Sequence, residues 1–464
     1  MSEDQRQDPE DEFREMLREL LSGNSDIDPA KLASAAGLPN DPAMVARLMS
    51  QLQSAMEQDG DGSQWGIALE QAKTLAASSS HPTTPAEQNA QQQSLTVAAL
   101  WLSEATDISA LTVSPRLMTR SEWVTATMPV WTQLAEPVAE SISNALTAVL
   151  RQQAPEEMSE MIAGASKLMR NIGGTLFAMQ LGQVVGQLSA EVVSGGDIGI
   201  PLLGMSAPGG SGVTDVQAVL LPQNIALYGE GLDIERDQIQ LYFAVRELAH
   251  ARLFRHAKWL RLQLMTAISE FASGIRVDAD RLQELAQDFD PANPEELRQA
   301  MVSGALIPPK TKTQLAALAR LETMLALIEG WVDVVTLQAT ARLPKAGAIA
   351  ETVRRRRASG GPAESAFSTL VGLELRPRRL REAAAMWQEL TDALGSARRD
   401  ELWSHPDIVP TSEDIDHPQA LLERLGAGKV PLDDVDRAIQ DLLDDQGDER
   451  PQENSDGTTD EPQP

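Results

Sequence analysis

Long runs of helix-favouring residues, seldom broken by β-branched clusters, constrain this chain most. Ala, Leu, Gln, Glu and Arg fill stretches such as Leu95–Ala105, Ser121–Arg151, Glu156–Ser194, Ile239–Ser273, Thr313–Ala341 and Arg378–Ser396. Straight-chain residues lose little side-chain freedom in a helix, so the sum of their propensities favours a mainly α fold over a sandwich or barrel. Aromatics make up 4% of 464 residues, consistent with that class. One segment changes character: Val216–Leu232 is apolar and β-leaning, and supplies a minor β element interrupted at Pro222-Gln223-Asn224. Pro129 and Pro137 are expected to kink or divide the helix over Ser121–Arg151.

Several function classes drop out. There is no cysteine, which removes disulfides, thiolate nucleophiles and cysteine-ligated metal, and suggests a reducing, cytoplasmic setting. The first residues, MSEDQRQDPEDEF, have neither the basic nor the apolar region of a secretion signal. The most apolar stretch, Ile172–Leu188, carries Gln180, Gln183 and Gln187 and is too short and polar to span a bilayer. Its Gly182-x-x-x-Gly186 spacing reads as close helix packing. The formal charge of −29 disfavours nucleic acid as a partner. The run Arg354–Arg357 reads as an exposed basic loop without the interleaved aromatics that nucleic acid would call for. The Gly-rich stretch Gly196–Gly212 lacks the Lys-Ser/Thr ending of a phosphate loop. Trp403-Ser404-His405-Pro406-Asp407 reads as a surface loop anchored by its tryptophan.

The chemistry concentrates in AVRELAHARLFRHAKWL, Ala244–Leu260. Residues three and four apart share a helix face, so Arg246, Glu247 and His250 project together. A zinc peptidase helix carries H-E-x-x-H, two histidines on the metal and a glutamate that accepts a proton from metal-bound water. Here the pattern is R-E-x-x-H. Glu247 fits the catalytic base and His250 a ligand, but Arg246 stands where the first ligand belongs, and a guanidinium stays protonated. His256 has the offset of a third histidine. In a continuous helix it would sit about 120° round and about 9 Å along from His250, a poor place for a ligand.

A better third ligand is Glu329 in LALIEGWVDVVT, Leu325–Thr336, and Glu-x-x-x-Asp here resembles the gluzincin arrangement, which implies that Asp333, one turn later, supports the ligand histidine from outside. A glutamate in so apolar a helix is costly to bury unless it meets a metal or a cation. Two arrangements are open: Glu329 and His250 hold zinc, or Arg246 takes the metal's place in a buried salt bridge with Glu329.

These segments resemble the actinobacterial zincin-like metallopeptidases, some of which are associated with coenzyme F420 biosynthesis. The resemblance lies in RELAHARLFRHAKWL (Arg246–Leu260), IEGWVDVV (Ile328–Val335), LVGLELRPRRLREAAAMW (Leu370–Trp387), RDELWSHPDIVPTSEDIDHP (Arg399–Pro418) and FAMQLGQVVGQLS (Phe177–Ser189). It spans roughly Trp65–Pro418 and implies a helical zincin-like unit over residues 63–425, behind an acidic, flexible extension (1–62) and before a short helix and acidic tail (426–464). It also implies a zinc-dependent hydrolase acting on a peptide or protein. The alternative is a non-catalytic binding or scaffold protein with the Arg246–Glu329 pair in the old cleft. Neither a membrane nor nucleic acid is an expected partner.

Overall fold

The computed structural model describes residues 63–153, 174–175, 177–203, 216–274, 310–373 and 378–426. The helices expected at Glu12–Leu21, Asp41–Met56, Asp278–Gln287, Pro294–Ser303 and Asp433–Leu443, and both acidic tails, lie outside the described residues.

The fold is mainly α. In chain order the described elements are α1 (Ser63–Ser78), α2 (Pro85–Ala105), β1 (Arg116–Leu117), α3 (Arg120–Gln153), α4 (177–189), β2 (Val219–Leu220), α5 (Pro222–Tyr228), α6 (Arg236–His256), α7 (Lys258–Ser273), α8 (Lys312–Ala339), α9 (Ala346–Ala358), α10 (Pro362–Val371), α11 (Leu380–Glu401), α12 (Ser412–Asp416) and α13 (Pro418–Gly426). Among these residues no helix is long and apolar enough to cross a membrane.

Local chemistry fixes many of the ends. Thr84, Thr311 and Thr411 each accept the backbone N–H three residues on, and Glu87, Gln314 and Asp414 return the bond to the capping residue. Pro222 opens α5 rather than merely breaking a strand, because its missing N–H falls where a helix leaves donors unpaired. The β-leaning segment therefore contributes two strand residues, paired in parallel with β1 as Arg116 with Val219 and Leu117 with Leu220, and then turns helical. Ser194 adds an antiparallel bridge to Leu220.

Other expectations change on contact with tertiary structure. Pro129 and Pro137 lie inside one helix, α3, without dividing it. The single helix expected over Ile239–Ser273 breaks at Ala257, whose φ/ψ of −89°/68° turns the chain between α6 and α7. Arg354–Arg357 is not an exposed loop but the last turn of α9.

The core is built on α6 and α8, both buried on nearly every side. α6 packs on α2, and α8 on α11 and α7. Gly330 makes the α8–α11 approach possible: a Cβ there would lie 2.8 Å from Ala384 N. Gly182 and Gly186 do the same for α4 on α1, with added Cβ atoms 2.6 Å from Ala68 O and 2.8 Å from Leu75 Cβ. At one end of α8, the buried Asp400 carboxylate accepts from Thr106 Oγ1 (2.5 Å), Asp107 N (2.9 Å), Trp331 Nε1 (2.9 Å) and Arg399 Nε (2.7 Å). Trp403 is fully buried and stacks on Trp387 at 5.4 Å, while the His405 side chain beyond it is 62% exposed.

Candidate functional site

The residues singled out by their helical spacing come together where α6 crosses α8. Arg246, Glu247 and His250 are 4%, 2% and 1% exposed, and Glu329 is fully buried. Both oxygens of Glu329 are engaged. Oε2 accepts from Arg246 Nη2, and Oε1 lies 3.2 Å from His250 Nε2 and 3.0 Å from Arg357 Nη2. Burial alone would raise the pKa of this carboxyl, but Arg357, Arg246 and His250 outweigh it and hold the group well below the ordinary range. Glu329 is an anion clasped by two guanidinium groups and an imidazole.

His250 spans two acceptors, Glu329 Oε1 and, through Nδ1 at 3.1 Å, the carbonyl of Arg246. Burial pushes its pKa down against the pull of Glu329. A neutral ring carries a single N–H, and of the two acceptors the charged carboxylate is the stronger.

Glu247 faces the other way. Its Oε2 accepts from Gly196 N and its Oε1 from Val219 N, both at 2.8 Å. The side chain thereby ties α6 to β2 and to the turn that follows α4. Burial raises its pKa to about 7 even though these two amide donors favour the charged form. Gly196 is required for the contact: a Cβ there would fall 2.7 Å from His250 Cβ and 3.0 Å from Glu247 Oε2. Beside it lies a small cavity of about 20 Å³ lined by Gly196, Leu203, Glu247, His250 and Phe254 among others, room for about one water.

The outer residues are arranged differently from the expectation. Asp333 does not support His250; its Oδ2 accepts from Arg354 Nη2 at 2.6 Å and Nε at 3.0 Å. His256 ends α6, exposed and apart from the cluster. Two participants escape a reading of the motif alone. Asp197 accepts from Val193 N at 3.0 Å and pairs with Arg356 at 3.3 Å and Arg357 at 3.8 Å. Arg357 itself comes from the arginine turn of α9. The available signal was its register: Ala346, Ala350, Val353 and Arg357 share one face, the first three of them buried.

A zinc ion does not fit this donor set. Zinc sites take about four N, S or O ligands in a tetrahedron. Here one imidazole and one carboxylate converge, and both oxygens of the carboxylate are already met by the guanidinium groups of Arg246 and Arg357. Among the described residues no group of three or more His, Asp or Glu is arranged to hold a metal.

Residues 64–422 match the family model described as zincin-like metallopeptidase. A solved structure from Chloroflexus aurantiacus, described as a "putative hydrolase with a novel fold", shares the fold at a TM-score of 0.52 and 18% identity, covering 78% of this chain and 98% of that one. No curated protein matches. With the family model extending over most of its length, the chain belongs to the zincin-like metallopeptidases.

Proposed function

We propose that this chain is a binding or scaffold member of its family, in which the cleft of a metal-dependent hydrolase is neutralised internally. The observation that carries the reading is the Arg246–Glu329 ion pair. It takes the residue expected as third ligand and fixes on it a cation that cannot leave by deprotonation. The engagement of Glu247 by two backbone N–H groups points the same way, since a carboxylate pinned through both oxygens serves the fold rather than a proton transfer. In this role the chain works through a protein partner.

Family membership favours a second reading, a zinc-dependent hydrolase of peptides or proteins with Glu247 as base and His250 and Glu329 as ligands. It requires Arg246 and Arg357 to leave Glu329 before metal could enter.

Elemental analysis of tag-free protein, before and after incubation with excess zinc and desalting, separates the two. The binding reading expects no retained zinc, no peptide cleavage and a melting temperature indifferent to chelator. Stoichiometric zinc that is lost in Glu329→Ala would overturn it in favour of the hydrolase.

A further inference from the structure

The arginine turn of α9 has a form that the neutralised site alone does not require. Upstream, Ala346, Ile349, Ala350 and Val353 seat α9 in the core. Beyond them, three of four consecutive arginines reach inward to different elements. Arg354 binds Asp333 on α8. Arg356 donates to the Glu191 carbonyl at 2.6 Å, pairs with Asp197 at 3.3 Å, and lies 5.6 Å from the centre of the Tyr228 ring. Arg357 contacts Glu329 at 3.0 Å and Asp197 at 3.8 Å. Arg355, by contrast, is 76% exposed and pairs along its own helix, with Glu351.

The inward three are also the outermost part of the cluster. Their side chains keep 25%, 24% and 11% exposure, while Glu329 and His250 beneath them keep 1% and 2%. Across from Arg357 the cover is completed by Gly199, whose φ of +79° carries the backbone so close that an added Cβ would lie 3.0 Å from Glu329 Oε1 and 3.7 Å from Arg357 Nη1. Asp197, in the same turn as Gly199, joins it to the arginines. Just past the helix, Gly360 has φ +85°, a conformation that ends α9 and turns the chain before α10 begins at Pro362.

We infer that the last turn of α9 is an intramolecular latch, in which Arg354, Arg356 and Arg357 close the mouth between α6 and α8 and shut solvent away from Glu329 and His250. The inference rests on the reading above, that guanidinium groups stand in the place of a metal, and adds that the second of them is carried on a segment able to withdraw. Opening would leave the apolar half of α9 in place and break the arginine pairs with Asp333, Asp197 and Glu329, together with the Arg356 contacts to the Glu191 carbonyl and the Tyr228 ring.

Diethyl pyrocarbonate labelling of His250, read by peptide mass spectrometry, tests this, with exposed His405 as the internal standard. Wild type and Arg355→Ala should leave His250 unlabelled. Arg354→Ala/Arg357→Ala should label it at least about tenfold faster, as expected for local opening, while backbone amides of α8 stay protected from exchange. Absence of labelling in the folded double variant overturns the latch. So does labelling accompanied by loss of α8 protection, which would make the arginines struts of the whole fold. Should the double variant not fold, Arg357→Gln carries the same test, and the same two results would overturn the latch. Zinc analysis on these variants keeps the two proposals apart. Zinc uptake by the opened variant supports the latch and overturns the proposed function. A labelled His250 without zinc supports both.

Discussion

The Arg246 guanidinium on α6 and the Glu329 carboxylate on α8 form an ion pair with side chains only 4% and 1% exposed. Removing one partner of a buried pair leaves the other charged and desolvated, which costs far more than the pair contributes in place. Here Glu329 serves two cations, since Arg357 shares its Oε1. Glu329→Ala should therefore lower the unfolding free energy by about 3–5 kcal/mol. Urea denaturation with and without added zinc measures it. A loss that appears only when metal is present would show that Glu329 acts as a ligand instead.

The two carboxylates of the site titrate in opposite senses. Glu247 has its pKa raised from 4.5 to about 7. Between these values the folded chain keeps a proton that the unfolded chain has released. The stability it contributes is complete below pH 4.5 and is lost as pH rises through 7, by about 3 kcal/mol at 1.36 kcal/mol per unit. Glu329 is depressed, so its contribution is present above pH 4.5 and is lost as pH falls below it. His250, also depressed, adds a loss as pH falls below its ordinary 6.5, and so opposes Glu247 over part of the range. The comparison that isolates Glu247 is wild type against Glu247→Gln. The stability advantage of wild type should shrink between pH 5 and 8, and a difference independent of pH would mean Glu247 is ionised throughout. Gln also turns an NH₂ toward either Gly196 N or Val219 N, a mismatch of about 1–3 kcal/mol on top.

What could be read from the sequence was what helix geometry controls. Arg246, Glu247, His250, Glu329 and Asp333 were identifiable because two helices with near-continuous apolar composition must meet, and the few charged residues in them must meet each other. The close packing at Gly182 and Gly186 was legible for the same reason. The partners supplied by long-range folding were not. Asp197 sits in a Gly-rich stretch with no periodicity, and Arg357 belongs to a run of four arginines that composition alone assigns to solvent. Asp333 was assigned to His250 by analogy, whereas Arg354, twenty-one positions later, takes it. The break at Ala257 has no Gly or Pro to mark it.

Asp400 offers a test away from the site. Its carboxylate receives hydrogen bonds from Thr106 and Asp107 at the end of α2, Trp331 on α8 and its neighbour Arg399, and Arg399 donates on to the Ala105 carbonyl at 2.9 Å. The other acceptors of Arg399, Ala105 O, Gln338 Oε1 and Thr391 Oγ1, are neutral, so Asp400 supplies its counter-charge among the described residues. Asp400→Ala should cost about 3–5 kcal/mol by stranding Arg399 in the core. The loss should be cooperative, with Trp fluorescence and far-UV circular dichroism moving together. A change under about 1 kcal/mol would mean that solvent reaches Arg399 and the clamp does not hold.

Gly330 lies one residue from Glu329, and its lack of a side chain sets how closely α8 and α11 approach. A Cβ would stand 2.8 Å from Ala384 N and 2.9 Å from both the carbonyl carbon and the Cβ of Ala383. Two of these are backbone atoms, which cannot swing aside as a flexible side chain would. Gly330→Ala must push the helices apart, at about 1–3 kcal/mol, although alanine is the better helix former. Gly66 in α1 has nothing within 4 Å of such a Cβ, so Gly66→Ala should instead stabilise the chain by about 0.5–1 kcal/mol through the entropy of the unfolded state. Opposite signs in urea denaturation are the expected result. If Gly330→Ala also stabilised, the helices would be able to yield, and the position of Glu329 against Arg246 would depend less on this contact than its spacing implies.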